Sequence, residues 1–206
     1  MIDTKQNPRA RYELFIPILV LIFILACAVG QQWSENYSLI YGSRSSDPLI
    51  IDGSYKTIGQ TQFANMSRIY NLDTHPPSEA VVLLPEEKKI FRVVIHSTNL
   101  EEFKLLARNK DGNWEEIHDQ RSNKDKIIDI RFKSPATTDA IKLVVHKTSD
   151  DAAQKRKNLK IERENRVAPD GTVRRGQMVY KVLGPLKATA KISEMELYGF
   201  AETPIK

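Results

Sequence analysis

Phe103-Lys104-Leu105-Leu106-Ala107-Arg108-Asn109-Lys110-Asp111-Gly112-Asn113-Trp114-Glu115-Glu116-Ile117 decides the fold class. Short apolar-bearing runs flank Asp111-Gly112-Asn113, and Asp-Gly is a strong signal for reversal between antiparallel strands. A hairpin is predicted. A lone hairpin cannot bury its apolar face, so other strands must supply a second layer. The neighbouring runs fit that need: Ala80–Leu84, Ile90–Ile95, Ile127–Phe132, Ala140–Val145, Met178–Leu183 and Ala190–Phe200 are short and rich in β-branched or aromatic residues. With the two arms of the hairpin they make eight segments separated by Pro85, Asn109 to Asn113 and Pro135, the rhythm of an all-β sandwich or jelly roll. Alternation is clearest at Ile128-Asp129-Ile130-Arg131-Phe132, which predicts sheets with one wet face.

Upstream, Leu14 to Val29 is an uncharged, almost wholly apolar run preceded by Lys5, Arg9 and Arg11. With Gly30 it approaches the about 20 residues of a spanning helix. The basic flank orients residues 1–13 to the cytoplasm and exports 31–206. Three fates stay open for the segment at 14–30. An uncleaved helix is a transmembrane signal anchor; Ala26-Cys27-Ala28 is spaced like a cleavage site; Ile24-Leu25-Ala26-Cys27 resembles a lipobox, which would make Cys27 a lipidation site. The expected location is membrane-anchored, with the domain facing the periplasm or cell exterior. Cys27 is the only cysteine, which excludes intrachain disulfides and multi-cysteine zinc sites.

The chain's net charge of +5 permits association with phosphate, acidic polysaccharide or anionic lipid. Much of its basic character lies in 148–177, where Pro169-Asp170-Gly171 marks a turn and an exposed basic hairpin or mobile excursion is expected. Export, and the lack of aromatics interleaved with these basic residues, argue against nucleic acid as a partner. His75, His96, His118 and His146 form no zinc motif, and His96 and His146 are read as surface or satisfied residues. No nucleophile elbow, P-loop or dinucleotide fingerprint occurs, so the sequence makes no case for an enzyme. Between Gly42 and Gly59, Asp47-Pro48 and Asp52-Gly53 bracket the apolar triplet Leu49-Ile50-Ile51, giving a structured loop with oxygen ligands of the kind calcium takes. Taken alone, Asx turns explain the same residues.

Ile51-Asp52-Gly53…Thr57, the Phe103…Trp114 hairpin and Ile192-Ser193-Glu194-Met195-Glu196-Leu197-Tyr198-Gly199, in this order, resemble the discoidin (F5/8 type C) domain. That group shares its galactose-binding-like jelly roll with family 32 carbohydrate-binding modules. The resemblance spans roughly Tyr37 to Phe200 and implies a discoidin-like jelly-roll β-sandwich preceded by one hydrophobic helix. It implies a non-catalytic binding module for carbohydrate, or an interaction or scaffold subunit that meets a surface protein without binding sugar. It also implies one structural calcium ion tying the first loop to the last strand. Side chains of Asp52, Thr57 and Glu194 and carbonyls of Leu49, Ser54 and Ser193 match its ligand positions. Two departures stand out: Gly59 occupies a position that usually carries tryptophan, and the 148–177 excursion is longer than usual. No ligand-binding residues are assigned.

Overall fold

The hairpin at residues 100–120 forms as predicted: Leu100–Arg108 and Trp114–Gln120 pair antiparallel, with Arg108 opposite Trp114. Gly112 takes φ +81°, a conformation that strains side-chain-bearing residues, and Asn109 Oδ1 accepts from the N–H groups of Asp111 and Asn113. These features belong to a computed structural model that describes residues 32–63, 76–163, 165–167, 169–171, 173–174, 176 and 178–201. The hydrophobic segment at 14–30 lies outside the described residues. Among those described, no helix is long and apolar enough to cross a membrane.

In chain order the strands are β1 (Arg44–Ser45), β2 (Gly59–Gln60), β3 (Gln62–Phe63), β4 (Ser78–Ser97), β5 (Leu100–Arg108), β6 (Trp114–Gln120), β7 (Ile127–Thr148), β8 (Leu159–Arg163), β9 (Arg166–Val167), β10 (Val173–Arg174), β11 (Met178–Val182) and β12 (Lys191–Tyr198). The fold is mostly antiparallel β-sheet, as expected for an all-β sandwich. Segmentation differs from the sequence reading first in the long strands. Ala80–Leu84 and Ile90–Ile95 are parts of the single strand β4, and Ile127–Phe132 and Ala140–Val145 are parts of β7.

Pro85 and Pro135 do not end these strands because each sits in a bulge. Pairing passes from Leu83↔Ala140 to Lys88↔Thr138, setting four residues of β4 against Asp139 alone. It then passes from Ile90↔Ala136 to Arg92↔Arg131, setting four residues of β7 against Phe91 alone. Bulges bend a ribbon and tolerate proline, which lacks a ladder donor. The two ends of β4 consequently return to one place: Ser78 Oγ lies 2.7 Å from Thr61 Oγ1, which accepts from Ala190 N, while Ser97 Oγ donates to the carbonyl of Lys191.

The folded ribbon makes two layers. One contains β1 and β3, the first half of β4, the second half of β7, then β5 and β6. The other contains β2, β12, the second half of β4 and the first half of β7. Both contribute to one apolar core, with Val82, Phe103, Leu105 and Leu143 from the first and Val93, Ile95, Met195 and Leu197 from the second. The wet face read in Ile128 to Arg131 is present: Ile128 and Ile130 are buried, while Asp129 faces outward and pairs with Arg92.

The described residues of the basic stretch form a helix and two short ladders. A helix, α1 (Asp151–Asn158), opens it, with Asp151 Oδ1 accepting from Thr148 Oγ1 and Ala188 N. Lys155, Arg156 and Lys157 occupy its last turn, where cations complement the helix dipole. Beyond it β8 pairs with β11 and β9 with β10, giving the expected basic hairpin. Met178–Leu183 therefore belongs to this arm and not to the sandwich. Its partner strand, Leu159–Arg163, gave no sequence signal because Lys160, Glu162 and Arg163 leave it little apolar content.

Ser34–Gly199 forms one compact unit. In the other unit the described residues are Gln32, Trp33, Phe200 and Ala201, where the Trp33 and Phe200 rings stack at 5.0 Å.

Candidate functional site

Two places in the domain gather polar groups. The first is where the loop after the 3₁₀ turn Pro48–Ile50 meets β12. Asp52 Oδ1 accepts from Ser54 N (2.9 Å), and Thr57 Oγ1 lies 2.7 Å from Asp52 Oδ2 and 2.9 Å from the carbonyl of Ser54. A hydroxyl has one hydrogen, so one of those two oxygen pairs has no proton between them. Gly53, at φ +76°, donates its N–H to Glu194 Oε2 at 3.0 Å across 141 residues of sequence. The first loop and last strand thus meet, as the resemblance implies.

Glu194 is 1 % exposed, and its Oε1 has no hydrogen-bond partner among the described residues. Burial first, then the charges of Asp52 and Glu196, push its carboxyl up to about 7 against the Gly53 N–H. An orphaned buried carboxylate oxygen beside a crowded set of hydroxyl, carboxylate and carbonyl oxygens fits a hard cation. Ser193 lies at the β12 bulge that turns both Ile192 and Met195 into the core. Leu49 stands on the 3₁₀ turn, its N–H bound to Asp47 Oδ1, and no hydrogen bond among the described residues joins it to Asp52 or Glu194.

Glu196, missed by the sequence reading, is caged beside this loop. Tyr55 donates to its Oε1 (2.5 Å), Tyr198 donates to its Oε2 (3.0 Å), and His96 Nε2 lies 3.5 Å away. Burial and the Glu196 carboxylate push the Tyr198 phenol up to about 12. The available signal was the period-2 spacing of Glu194, Glu196 and Tyr198, which puts all three on one face of β12, opposite Met195 and Leu197. Both carboxylates are buried beneath the loop, Glu194 at 1 % and Glu196 at 7 % exposure. His146, read as surface or satisfied, is half-buried, and its Nε2 is buried without a partner among the described residues.

The second place is the end of the sandwich where β4 begins and ends. A cavity of about 430 Å³ opens there, with Phe63 and Gln60 on one side, Gln154 and Lys157 of α1 on another, and Lys187, Thr189 and Lys191 closing it. Behind its lining, Asn99, 5 % exposed, ties three lining residues together: its amide donates to Asp150 Oδ2 (2.9 Å) and the Thr189 carbonyl (3.1 Å) and accepts from Lys191 N (2.8 Å). Lys191 Nζ lies 2.9 Å from Asp150, and these two partners hold the Asp150 carboxyl below the usual carboxylate range. These bonds hold Asp150, Thr189 and Lys191 in fixed positions on the cavity's surface. Sequence reading could not assemble this site because its residues come from four separated segments.

No family model and no curated protein sequence matches the chain. Among solved structures, similarity is found to the family 32 module of C. perfringens NanJ in complex with galactose: 15 % identity, 76 % of this chain and 92 % of that one, TM-score 0.47. Chitosan-binding module 1 from a Paenibacillus sp. IK-5 chitosanase/glucanase gives 14 % identity over 81 % of this chain and all of that one, TM-score 0.48. The family 32 module of Streptococcus pneumoniae EndoD gives 14 % identity, 80 % and 99 % coverage, and TM-score 0.45. The solved structures similar to this chain thus include family 32 carbohydrate-binding modules, which are discoidin-type, galactose-binding-like domains.

Proposed function

We propose that the chain is an exported, membrane-attached, non-catalytic module with a discoidin-like jelly roll that takes carbohydrate in the cavity at its loop end. The observation that carries this reading is the cavity itself. Phe63, Gln60, Gln154 and Thr189 all line it, with the Thr189 hydroxyl donating to Gln60 Oε1 at 3.1 Å. An aromatic face with convergent amide and hydroxyl groups suits a sugar, which is apolar on one side and rich in hydroxyls at its edge. The segment at 14–30 supplies attachment, either as an uncleaved helix or through a lipid on Cys27. On a glycan array, binding by the wild-type chain is expected, and Phe63→Ala or Gln154→Ala should weaken the best hit about tenfold with melting temperature unchanged. Failure of the folded wild type to bind any glycan removes the reading.

To the place where the first loop meets β12 we assign a structural calcium ion. The side chains of Asp52, Thr57 and Glu194 would hold it, with the carbonyls of Leu49, Ser54 and Ser193. A bound calcium would supply positive charge to the orphaned Glu194 oxygen and fix the first loop to the last strand.

A second reading, a protein-interaction or scaffold role, is favoured by the arm. Leu159, Ile161, Met178, Tyr180 and Val182 share one face of its ladder, and Ile161, Met178 and Tyr180 are each 53 % exposed. If that face serves an envelope partner, Ile161→Ser with Tyr180→Ser abolishes a site-specific cross-link from the arm to another protein and leaves glycan binding intact. Absence of any such cross-link in wild-type membranes rejects it.

A further inference from the structure

The basic excess of the chain lies in one stretch, whose first element forms a wall of the loop-end cavity. Lys and Arg number 31 against 26 Asp and Glu over the whole chain. Between Asp151 and Leu183 the count is nine against four, an excess equal to the chain's entire +5, so the remaining residues are balanced. This stretch opens with α1, which lines the cavity through Gln154 and Lys157.

Inside the cavity the charges do not cancel either. Lys191 and Asp150 neutralise each other at 2.9 Å. Lys187 Nζ donates to the carbonyl of His146, a neutral acceptor, at 2.7 Å. Lys157 is exposed on the last turn of α1. Among the described residues no carboxylate lies within ion-pair distance of Lys157 or Lys187, so within that set two ammonium groups face the cavity without a counter-charge.

We infer that the cavity selects glycans carrying a negative charge, a uronate carboxylate or a sulfate, with Lys157 and Lys187 receiving the anionic group while Gln60, Gln154 and Thr189 meet hydroxyls. The inference rests on the carbohydrate reading and narrows it. Ammonium groups recognise either anion by charge-assisted hydrogen bonds, and the rest of the basic stretch raises the local concentration of such ligands.

Titration calorimetry on the full chain tests this with three probes: tetragalacturonate, its methyl-esterified form, and a sulfated galactan tetrasaccharide. One or both anionic probes should bind at least about tenfold tighter than the neutral ester, and the two anionic arms tell carboxylate from sulfate. Raising salt from about 0.05 to about 0.5 M should remove most of that difference. Lys157→Gln and Lys187→Gln should each lower affinity about tenfold for the anionic probe only, while Lys160→Gln, out on the arm, should change it less than about twofold. Equal affinity for the neutral ester overturns the charge selection but leaves carbohydrate binding standing. Binding of none of the probes, nor of any glycan on an array, overturns both. Loss on Lys160→Gln equal to that on Lys157→Gln also overturns the inference, because binding would then follow overall charge and not the cavity.

Discussion

Raising the pH of the metal-free chain from about 4.5 to above 7 should lower its stability by about 3 kcal/mol through Glu194 alone. The sign follows from burial. In the unfolded chain this carboxyl has its ordinary value of 4.5; in the fold it is pushed up to about 7. The fold therefore binds a proton that the unfolded chain has released. Its contribution is greatest below pH 4.5, is lost as pH rises through 7, and is level beyond. Asp129, Asp139 and Asp150, held low by Arg92, Arg108 and Lys191, act with the opposite sign below their ordinary value of 3.8, in a separate window.

Calcium should reverse this behaviour, since a cation against Oε1 makes the ionised carboxylate the stable form. Urea unfolding at pH 4.5, 6 and 8 in chelator should show stability falling, and millimolar calcium should restore it at pH 8. Glu194→Gln should flatten the chelator series and abolish the calcium response. A wild-type chain with no calcium response at pH 8 would sink the metal assignment. A flat chelator series would instead show that Glu194 is not held in the buried, uncompensated state described above.

The sequence made some parts of this molecule legible and concealed others, for physical reasons. Local chemistry was readable: Asp111-Gly112 set the hairpin, and alternation at Ile128 to Arg131 set the inward and outward faces. The meeting of Asp52's loop with Glu194 followed only from resemblance, since nothing local joins residues so far apart. Strand continuity was not readable, because Pro85 and Pro135 carry the same signal in a bulge as in a turn. The assignment of Met178–Val182 to the arm depended on whether Leu159–Arg163 could pair with it, and with only Leu159 and Ile161 apolar that strand is too short to stand out from the charged stretch around it. The cavity was concealed most completely, because Asn99 organises it through side-chain bonds to segments about fifty and ninety residues away.

Replacing Gly59 by the tryptophan that the resemblance leads one to expect should cost at least about 3 kcal/mol, the upper range for overpacking a core. Gly59 is buried on β2, paired with Ile192, and a Cβ there would stand 2.6 Å from Ile50 Cγ1 and 3.1 Å from both Asp47 Oδ2 and Ile50 N. Ile50 is fully buried in the core, so its side chain blocks even the first atom of a larger residue. Asp47 cannot retreat freely, since its Oδ2 accepts from Gln60 N at 2.8 Å while Oδ1 caps the Pro48–Ile50 turn. Gly59→Ala should already cost about 1–3 kcal/mol. Ile50→Ala alone should cost about 2–5 kcal/mol by leaving a cavity. If Ile50 takes the volume that the indole fills elsewhere, Gly59→Trp combined with Ile50→Ala should be more stable than the two separate losses added together, an interaction of about 1–3 kcal/mol readable in a double-mutant cycle by urea unfolding. Strict additivity would mean that the obstruction is the backbone of Asp47 to Ile50, and that the first loop, not one side chain, is built differently around a glycine.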